Sequence, residues 1–278
     1  MIQSAINYYG SKHRLLSQIL PLFPDNINTF YDLFAGLGTV SLNVHANRYV
    51  WNDFNTKLVN MFSYLYSISD EDIERLNNYV SEVAHDKSLF YKMRDKYNDN
   101  NDPALLYVLI ISSFNSSPRF NGAGQYNMPY ASPSRLTDSF LRTHEHRLLD
   151  AIKRLKQMDI KFSSYDYRNT INFESLCDND FIYLDPPYFG TDSTYNRSSG
   201  WDNEVDEQFY HWLGKVVDSD TNFALSNVLS YKGNLNKHLS GFINKYTDCL
   251  NVYHLDIRYV VGRANNTQSD EVLITNYN

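Results

Sequence analysis

One apolar run, ended by an acid and two prolines, constrains the fold of this chain more than any other feature. Residues 180–185 are Asp-Phe-Ile-Tyr-Leu-Asp, and Pro186, Pro187 and Tyr188 follow. The apolar side chains predict a buried strand, which the prolines end because they lack a backbone N–H. The Asp185 carboxylate then lies at the C-terminal end of a strand, where open α/β sheets bind ligands. Such an acceptor-rich surface suits an exocyclic amine, and Tyr188 can stack on a planar base. A rigid turn with a surface tyrosine is the alternative.

A glycine turn near the N-terminus is the second motif. Residues 29–34 predict a buried strand, Gly36 and Gly38 a turn after it, and residues 39–47 a short helix. Glycines let a ligand approach the backbone closely, and an acid at the end of the next strand suits a ribose diol. Asp53 has that position, whereas Ser41 occupies the place of the third glycine of dinucleotide oxidoreductases. A tight turn that binds no ligand is the alternative.

The remaining pattern alternates strands with helices and predicts an α/β fold, with a mainly parallel sheet and helices on both faces. Further strands are predicted at 49–53, 160–165, 222–226, 253–261 and 271–276, and helices at 55–116, 137–157, 205–218 and 234–245. We interpret 57–157 as a helical insertion into a core made of 1–56 and 158–278. Residues 117–135 are rich in Gly, Pro, Asn and Ser and predict a long irregular loop, a kind of segment that often carries function. A second irregular loop is predicted at 188–203.

The charge distribution is uneven. The chain of 278 residues has a net charge of −7, which by itself disfavours nucleic acid as a partner. Residues 174–220 sum to −9, however, and residues 111–163 to +4. The middle of the chain therefore suits a phosphate backbone, although ordinary solvated helix faces would give the same pattern.

Several classes of protein are excluded. Because no apolar run approaches the roughly 18 residues of a membrane span and the N-terminus lacks a signal peptide, we expect no membrane partner. Cys177 and Cys249 are too few for a disulfide framework or a zinc cluster, which favours a reducing, cytoplasmic setting. His144-Glu-His146 has no third ligand nearby, so we expect a helix surface there and no metal site.

The order of these motifs resembles a known family. A glycine motif, a large insertion and then Asp-Pro-Pro-Tyr resemble the Dam-type (α group, D12 class) DNA adenine-N6 methyltransferases, which use S-adenosylmethionine. Residues 5–12 resemble the N-terminal motif of that family, and residues 223–229 and 269–274 resemble late segments of the T-even phage Dam enzymes. The resemblance spans nearly the whole chain.

The resemblance implies a Rossmann-like S-adenosylmethionine-dependent methyltransferase core with a helical target-recognition insertion. It also assigns site residues. The implied catalytic residues are Asp185, Pro186, Pro187 and Tyr188. The implied cofactor contacts are Tyr8, Lys12, Asp32, Phe34, Ala35, Gly36, Gly38, Asp53, Asp166, Tyr167 and Asp185. The implied DNA contacts are Arg119, Asn121, Asn127, Pro129, Tyr130 and Arg135.

The implied activity is methyl transfer from S-adenosylmethionine to an adenine flipped out of double-stranded DNA, in GATC, by a monomer or weak dimer without a metal. One departure affects the target sequence. Members of the family carry a basic residue soon after the Pro-aromatic pair. Here Ala131-Ser-Pro133 follows that pair, and the next basic residue is Arg135. Nonspecific phosphate contacts are an alternative role for Arg119 and Arg135. An RNA methyltransferase and a DNA-binding regulator that has lost catalysis are the competing functions.

Overall fold

The computed structural model describes residues 1–6, 11–188, 200–256 and 269–278. The strands of the described residues are β1 (Thr29–Asp32), β2 (Arg48–Asn52), β3 (Ile160–Ser163), β4 (Phe181–Leu184), β5 (Asn222–Tyr231), β6 (Asn234–Leu235), β7 (Asn251–Leu255) and β8 (Ser269–Thr275). The α-helices are α1 (Leu16–Ile19), α2 (Thr56–Ser67), α3 (Asp70–His85), α4 (Lys87–Asn100), α5 (Pro103–Ser112), α6 (Asp138–Leu155), α7 (Asn203–Asp218) and α8 (Lys237–Lys245).

The chain forms two compact units. The first, which we call the helical unit, comprises 1–13, 36–43 and 55–164. The second, which we call the sheet unit, comprises 14–35, 44–54 and 165–278. The predicted recognition insertion, 57–157, falls within the helical unit, and its role stays a prediction.

The sheet unit has a mixed sheet. Its strand order is β2-β1-β4-β5-β8-β7, and β6 pairs with β5 as a hairpin. The strands from β2 to β5 are parallel, whereas β8 pairs antiparallel with both β5 and β7. Asp32 of β1 lies opposite Trp51 of β2 and Tyr183 of β4. The α/β fold is confirmed, and its antiparallel pairs lie in the C-terminal part of the sheet.

Strand β4 is buried on both faces, which explains its unbroken apolar sequence. Ile182 and Leu184 join one core cluster, in which Phe209 and Leu213 of α7 and Leu239 of α8 are buried. On the opposite face Phe181, Tyr183 and Phe30 pack around Phe23, whose ring centroid lies 4.9 Å from that of Phe181. Packing on both faces fixes the position of β4 in the sheet. The residues directly after β4 therefore leave the sheet at a fixed point.

The helical unit is organised around α5, in which every residue from Leu105 to Ser112 is buried. Helices α2, α3 and α4 pack against it. The side chains of Ser69, Asp86 and Asp102 accept hydrogen bonds from backbone N–H groups and begin α3, α4 and α5. These caps divide the helical run predicted at 55–116 into four helices.

Three sequence predictions need correction. The helix predicted at 39–47 is only a 3₁₀ turn, Ser41–Asn43, because the Asn43 side chain bonds the backbone of Ile2 at 2.7 and 2.9 Å. The surface placement of His144 is wrong, because its ring packs on Phe140 and only 3% of the residue is exposed. The predicted helix 234–245 begins at Lys237, since residues 234–235 form β6.

Other predictions fall partly outside the described residues. Most of the loop predicted at 188–203 lies there, as does the end of the strand predicted at 253–261. Across the described ranges, no helix combines the length and the apolar character that crossing a membrane requires.

Candidate active site and nucleic-acid interface

Acidic residues gather at one edge of the sheet unit, where parallel strands end. Asp32 is the last residue of β1, Asp53 follows β2 and Asp185 follows β4. Because β1 pairs with both β2 and β4, the three acids follow neighbouring strands. Asp32 and Asp53 are buried, and Asp185 is half-buried. An edge with several carboxylates suits a ligand that carries positive charge and hydroxyl or amine donors.

Asn52 ties this edge together, although no sequence motif singled it out. Its side-chain nitrogen donates to the Leu33 carbonyl at 3.1 Å and to the Tyr165 carbonyl at 3.0 Å. Its side-chain oxygen accepts from the Tyr165 N–H at 2.9 Å, and its backbone carbonyl accepts from Ala35 at 2.9 Å. Asn52 is 1% exposed. This one side chain therefore fixes the segments that lead to Phe34 and to Asp166.

We expect Asn52→Ala to lower the free energy of unfolding by about 2–4 kcal/mol, because three backbone groups lose a buried partner. Urea denaturation followed by circular dichroism measures the loss. Asn47→Ala is the matched control, since Asn47 is exposed on the turn before β2 and its removal should change stability by less than about 0.5 kcal/mol. Equal stability of the two variants would contradict the assigned role of Asn52.

The hydroxyl group of Tyr188 points into the protein. Although the residue is half-buried, its hydroxyl oxygen is shielded from solvent. Burial raises the pKa of Tyr188 well above its ordinary value, and the charges of Asp185 and Glu271 raise it further. The hydroxyl therefore stays protonated at neutral pH and remains a donor toward carboxylates. Glu271 lies on β8 and is 7% exposed. Glu271 lies in residues 269–274, which resemble a late segment of the T-even phage Dam enzymes. No pattern in the sequence predicted that its side chain is buried near Tyr188.

Four aromatic rings form a wall beside the strand ends. Phe34 lies 5.3 Å from Tyr167, 5.8 Å from Trp201 and 5.9 Å from Phe209, measured between ring centroids. Burial raises the pKa of Tyr167 to about 12, so its hydroxyl is neutral. The structure thus brings the rings of Phe34 and Tyr167 together, and their predicted cofactor contacts stay predictions.

Asp166 is held by an ion pair. Its carboxylate oxygens accept from Arg168 Nε at 2.8 Å and Nη2 at 2.7 Å. These hydrogen bonds lower the pKa of Asp166, so the side chain is a carboxylate at neutral pH. Oδ1 also accepts from the Arg168 N–H at 2.9 Å, so the second lone pair of Oδ2 is the one that can accept from a ligand.

Two exposed aromatic residues, which the motifs did not single out, lie close to the end of β2, since the Tyr165 backbone bonds to Asn52. Phe54 is 75% exposed and comes directly after Asp53. Tyr165 is 60% exposed and directly precedes Asp166. Large exposed aromatic side chains beside acidic residues are suited to stacking on a planar ligand.

The helical unit contains the glycine turn. Gly36 and Gly38 have φ values of 51° and 62°, in the left-handed region that favours glycine. Ser4 fixes this turn by donating to the Leu37 carbonyl at 2.8 Å. Lys12 is 6% exposed and lies in a short 3₁₀ helix. Tyr8, another expected cofactor contact, lies outside the described residues.

Residues 117–135, which we call the recognition loop, form an irregular but hydrogen-bonded segment, as predicted. Phe120 pairs with Tyr126, and Ser113 with Tyr130, in isolated antiparallel β-bridges. The Arg119 guanidinium donates to the side-chain and backbone oxygens of Asn127 at 2.9 and 3.0 Å. The exposed guanidinium of Arg119 is therefore held in one orientation.

Other residues of the recognition loop divide into exposed and anchoring groups. Asn121 and Pro129 are exposed. Tyr130 donates to the Ala84 carbonyl, and Arg135 contacts Ser116 and lies 5.3 Å from the Phe140 ring centroid. Tyr130 and Arg135 thus bind other parts of the protein, so we interpret both residues as anchors of the recognition loop in this structure. Their predicted DNA contacts stay predictions.

Phe114 precedes the recognition loop and was not predicted as a site residue. It is 53% exposed. The next two residues, Asn115 and Ser116, have positive φ values of 61° and 47°. Such backbone is costly for residues other than glycine, and it presents the aromatic ring of Phe114 to solvent.

Among the described residues there is no group of three or more His, Cys, Asp or Glu side chains that could hold a metal ion.

Residues 8–253 match the model of the family described as D12 class N6 adenine-specific DNA methyltransferase. The chain belongs to this family. The match covers the glycine turn, the recognition loop and Asp185–Tyr188, but ends before β8.

Named methyltransferases from several bacteria are similar to this chain. It is 37% identical to modification methylase StsI from Streptococcus sanguinis, over 99% of this chain and 43% of the relative. It is 36% identical to type II methyltransferase M.FokI from Planomicrobium okeanokoites, over 99% and 43%. DNA adenine methylase from Haemophilus influenzae is 27% identical over 66% of this chain and 65% of its own length. The chain thus spans less than half the length of the first two relatives.

Proposed function

We propose that the protein transfers a methyl group from S-adenosylmethionine to the N6 amine of adenine in double-stranded DNA. The observation that carries this proposal is the position of Asp185-Pro-Pro-Tyr188 directly after β4, beside the ends of β1 and β2. Family membership supports the same activity. The relative from Haemophilus influenzae is a DNA adenine methylase, which favours DNA over RNA as the substrate.

The residues at the strand ends fit S-adenosylmethionine. The Asp53 carboxylate suits the ribose hydroxyl groups, and Asp166 suits the adenine amine. The exposed rings of Phe54 and Tyr165 suit the faces of the adenine ring. When bound, the cofactor supplies an electrophilic methyl group.

Asp185 and Pro186 act on the target amine in this proposal. The lone pair of an adenine amine is delocalised into the ring, which makes the nitrogen a weak nucleophile. The Asp185 carboxylate and the Pro186 carbonyl accept hydrogen bonds from its two N–H groups and favour a tetrahedral nitrogen whose lone pair is no longer delocalised into the ring. The same acceptors stabilise the positive charge that develops on nitrogen. Tyr188 stacks on the base, while its buried hydroxyl faces Asp185.

We propose that the recognition loop reads the DNA. An adenine inside a duplex cannot reach the strand-end acids, so the base must be flipped out. Arg119 is the proposed reader, because arginine bound to guanine is the commonest specific contact in the major groove. GATC is the first target to test, on the resemblance to Dam enzymes, and the Ala131-Ser-Pro133 departure makes a related sequence the alternative. The modification methylases among the relatives favour a role in restriction–modification.

Substrate class is tested by incubating the protein with S-adenosylmethionine labelled in the methyl group. Duplex DNA, single-stranded DNA and structured RNA are supplied separately at equal mass. We expect label in duplex DNA at a rate at least about tenfold above that in RNA. Preferential labelling of RNA would overturn the proposal, as would binding of duplex DNA with no transfer to any substrate.

A further inference from the structure

Trp201 is the one member of the aromatic wall whose polar edge binds a buried carboxylate. Its indole Nε1 donates to Asp206 Oδ1 at 2.9 Å. Its ring packs edge-on against Phe34, with centroids 5.8 Å apart and planes at 77°. The same ring lies 6.1 Å from Tyr167 and 5.7 Å from Phe209. The orientation of the Trp201 ring is therefore set from two sides.

A histidine completes the arrangement. The second oxygen of Asp206 lies 2.8 Å from Nδ1 of His238, at the beginning of α8. Asp206 is 1% exposed, whereas the His238 side chain is 25% exposed. Burial raises the pKa of Asp206, and hydrogen bonds from Trp201 and His238 oppose that effect. Both carboxylate oxygens thus have a donor, as a buried acid requires.

Packing of the aromatic cluster does not by itself require this carboxylate. Trp212 lies in the same cluster, 5.0 Å from Tyr167. Its indole N–H is buried and has no hydrogen-bond acceptor among the described residues. A tryptophan is thus tolerated here without an acceptor, whereas a buried carboxylate is costly. The buried Asp206 carboxylate therefore indicates that the orientation of the Trp201 ring matters for more than packing.

We propose that Trp201 is a positioning residue of the cofactor pocket, held against Phe34 by hydrogen bonds that run from His238 through Asp206 to the indole N–H. This inference rests on the proposed function, because Phe34 and Tyr167 are cofactor contacts only there. Trp201 keeps the Phe34 ring in place when the pocket is empty. Loss of this support lowers cofactor affinity without changing the reacting groups.

The test is the binding of S-adenosylmethionine to the whole chain, measured by calorimetry and by tryptophan fluorescence. Trp51 and Trp212 are buried, so Trp201 is the tryptophan whose emission should change when the cofactor binds. We expect Trp201→Phe to abolish that change and to raise Kd about tenfold. The KM for the cofactor should rise equally, while kcat at saturating cofactor stays within about threefold. Trp212→Phe should retain the fluorescence change.

Substitutions at Asp206 test the hydrogen bonds separately. Asp206→Ala should raise the cofactor Kd about tenfold, and Asp206→Asn, which keeps an acceptor for the indole, should recover most of the affinity. Glu207→Gln is the matched control, because Glu207 is an exposed acid on the same helix. Wild-type affinity in Trp201→Phe, or a lower kcat at unchanged Kd, would overturn the inference alone. Failure of the wild type to bind the cofactor would overturn both the inference and the proposed function.

Discussion

Asp185→Ala is expected to reduce kcat for DNA methylation by roughly a hundredfold to a thousandfold. The carboxylate follows β4, which is buried on both faces and is ended by Pro186 and Pro187. In the proposed reaction it accepts a hydrogen bond from the adenine amine and stabilises the charge that forms on nitrogen. These interactions strengthen in the transition state, so their removal should affect kcat much more than substrate binding.

Single-turnover transfer of labelled methyl groups measures this loss, with cofactor and duplex binding measured beside it. Both dissociation constants should stay within about threefold of the wild type, because the acid acts mainly in the transition state. Asp178→Asn is the control, since Asp178 is an exposed acid before the same strand. It should retain wild-type kcat. An Asp185→Ala variant that turns over at a similar rate would exclude Asp185 from catalysis.

Arg119→Ala is expected to reduce kcat/KM on the target duplex by roughly tenfold to a hundredfold. The guanidinium is exposed and oriented by Asn127, so it can reach a guanine edge with little loss of side-chain freedom. Removing a contact to a base weakens the preferred sequence more than other sequences. The ratio of rates on the target and on a duplex with one changed base pair should therefore fall.

Arg119→Lys separates recognition of a base from attraction to phosphate. Lysine keeps the charge but loses the planar fork of donors, so sequence preference should fall although the dependence of binding on salt is retained. Arg142→Ala is the control, because Arg142 is exposed on α6. If Arg119→Lys keeps the wild-type preference, Arg119 is a phosphate contact.

The acids of the site could be predicted because a parallel sheet collects its strand ends at one edge. Asp53 and Asp185 each follow an apolar run of strand formers, so their positions at the ends of strands could be predicted from the sequence. The N-terminal strand and the glycine turn at Gly36 and Gly38 were predicted from the same local pattern.

Contacts between residues that are far apart in the sequence could not be predicted from such local patterns. Asn52 bonds to Tyr165, 113 residues away, and nothing local marks that asparagine as buried. The helix predicted at 39–47 failed for the same reason, since Asn43 binds the backbone of Ile2. His144 was placed on a helix surface because no third metal ligand lies near it in the sequence, but its ring packs on Phe140.

The central claim is adenine-N6 methylation of duplex DNA, and mapping the methylated bases tests it most directly. Plasmid DNA from a host that lacks adenine methylation is incubated with the protein and S-adenosylmethionine, and modified adenines are located by single-molecule sequencing. We expect N6-methyladenine confined to one short motif, with GATC the first candidate. Methylation at a different motif would retain the reaction and correct the interpretation of the recognition loop. Absence of N6-methyladenine in a protein that binds both cofactor and duplex would contradict the claim.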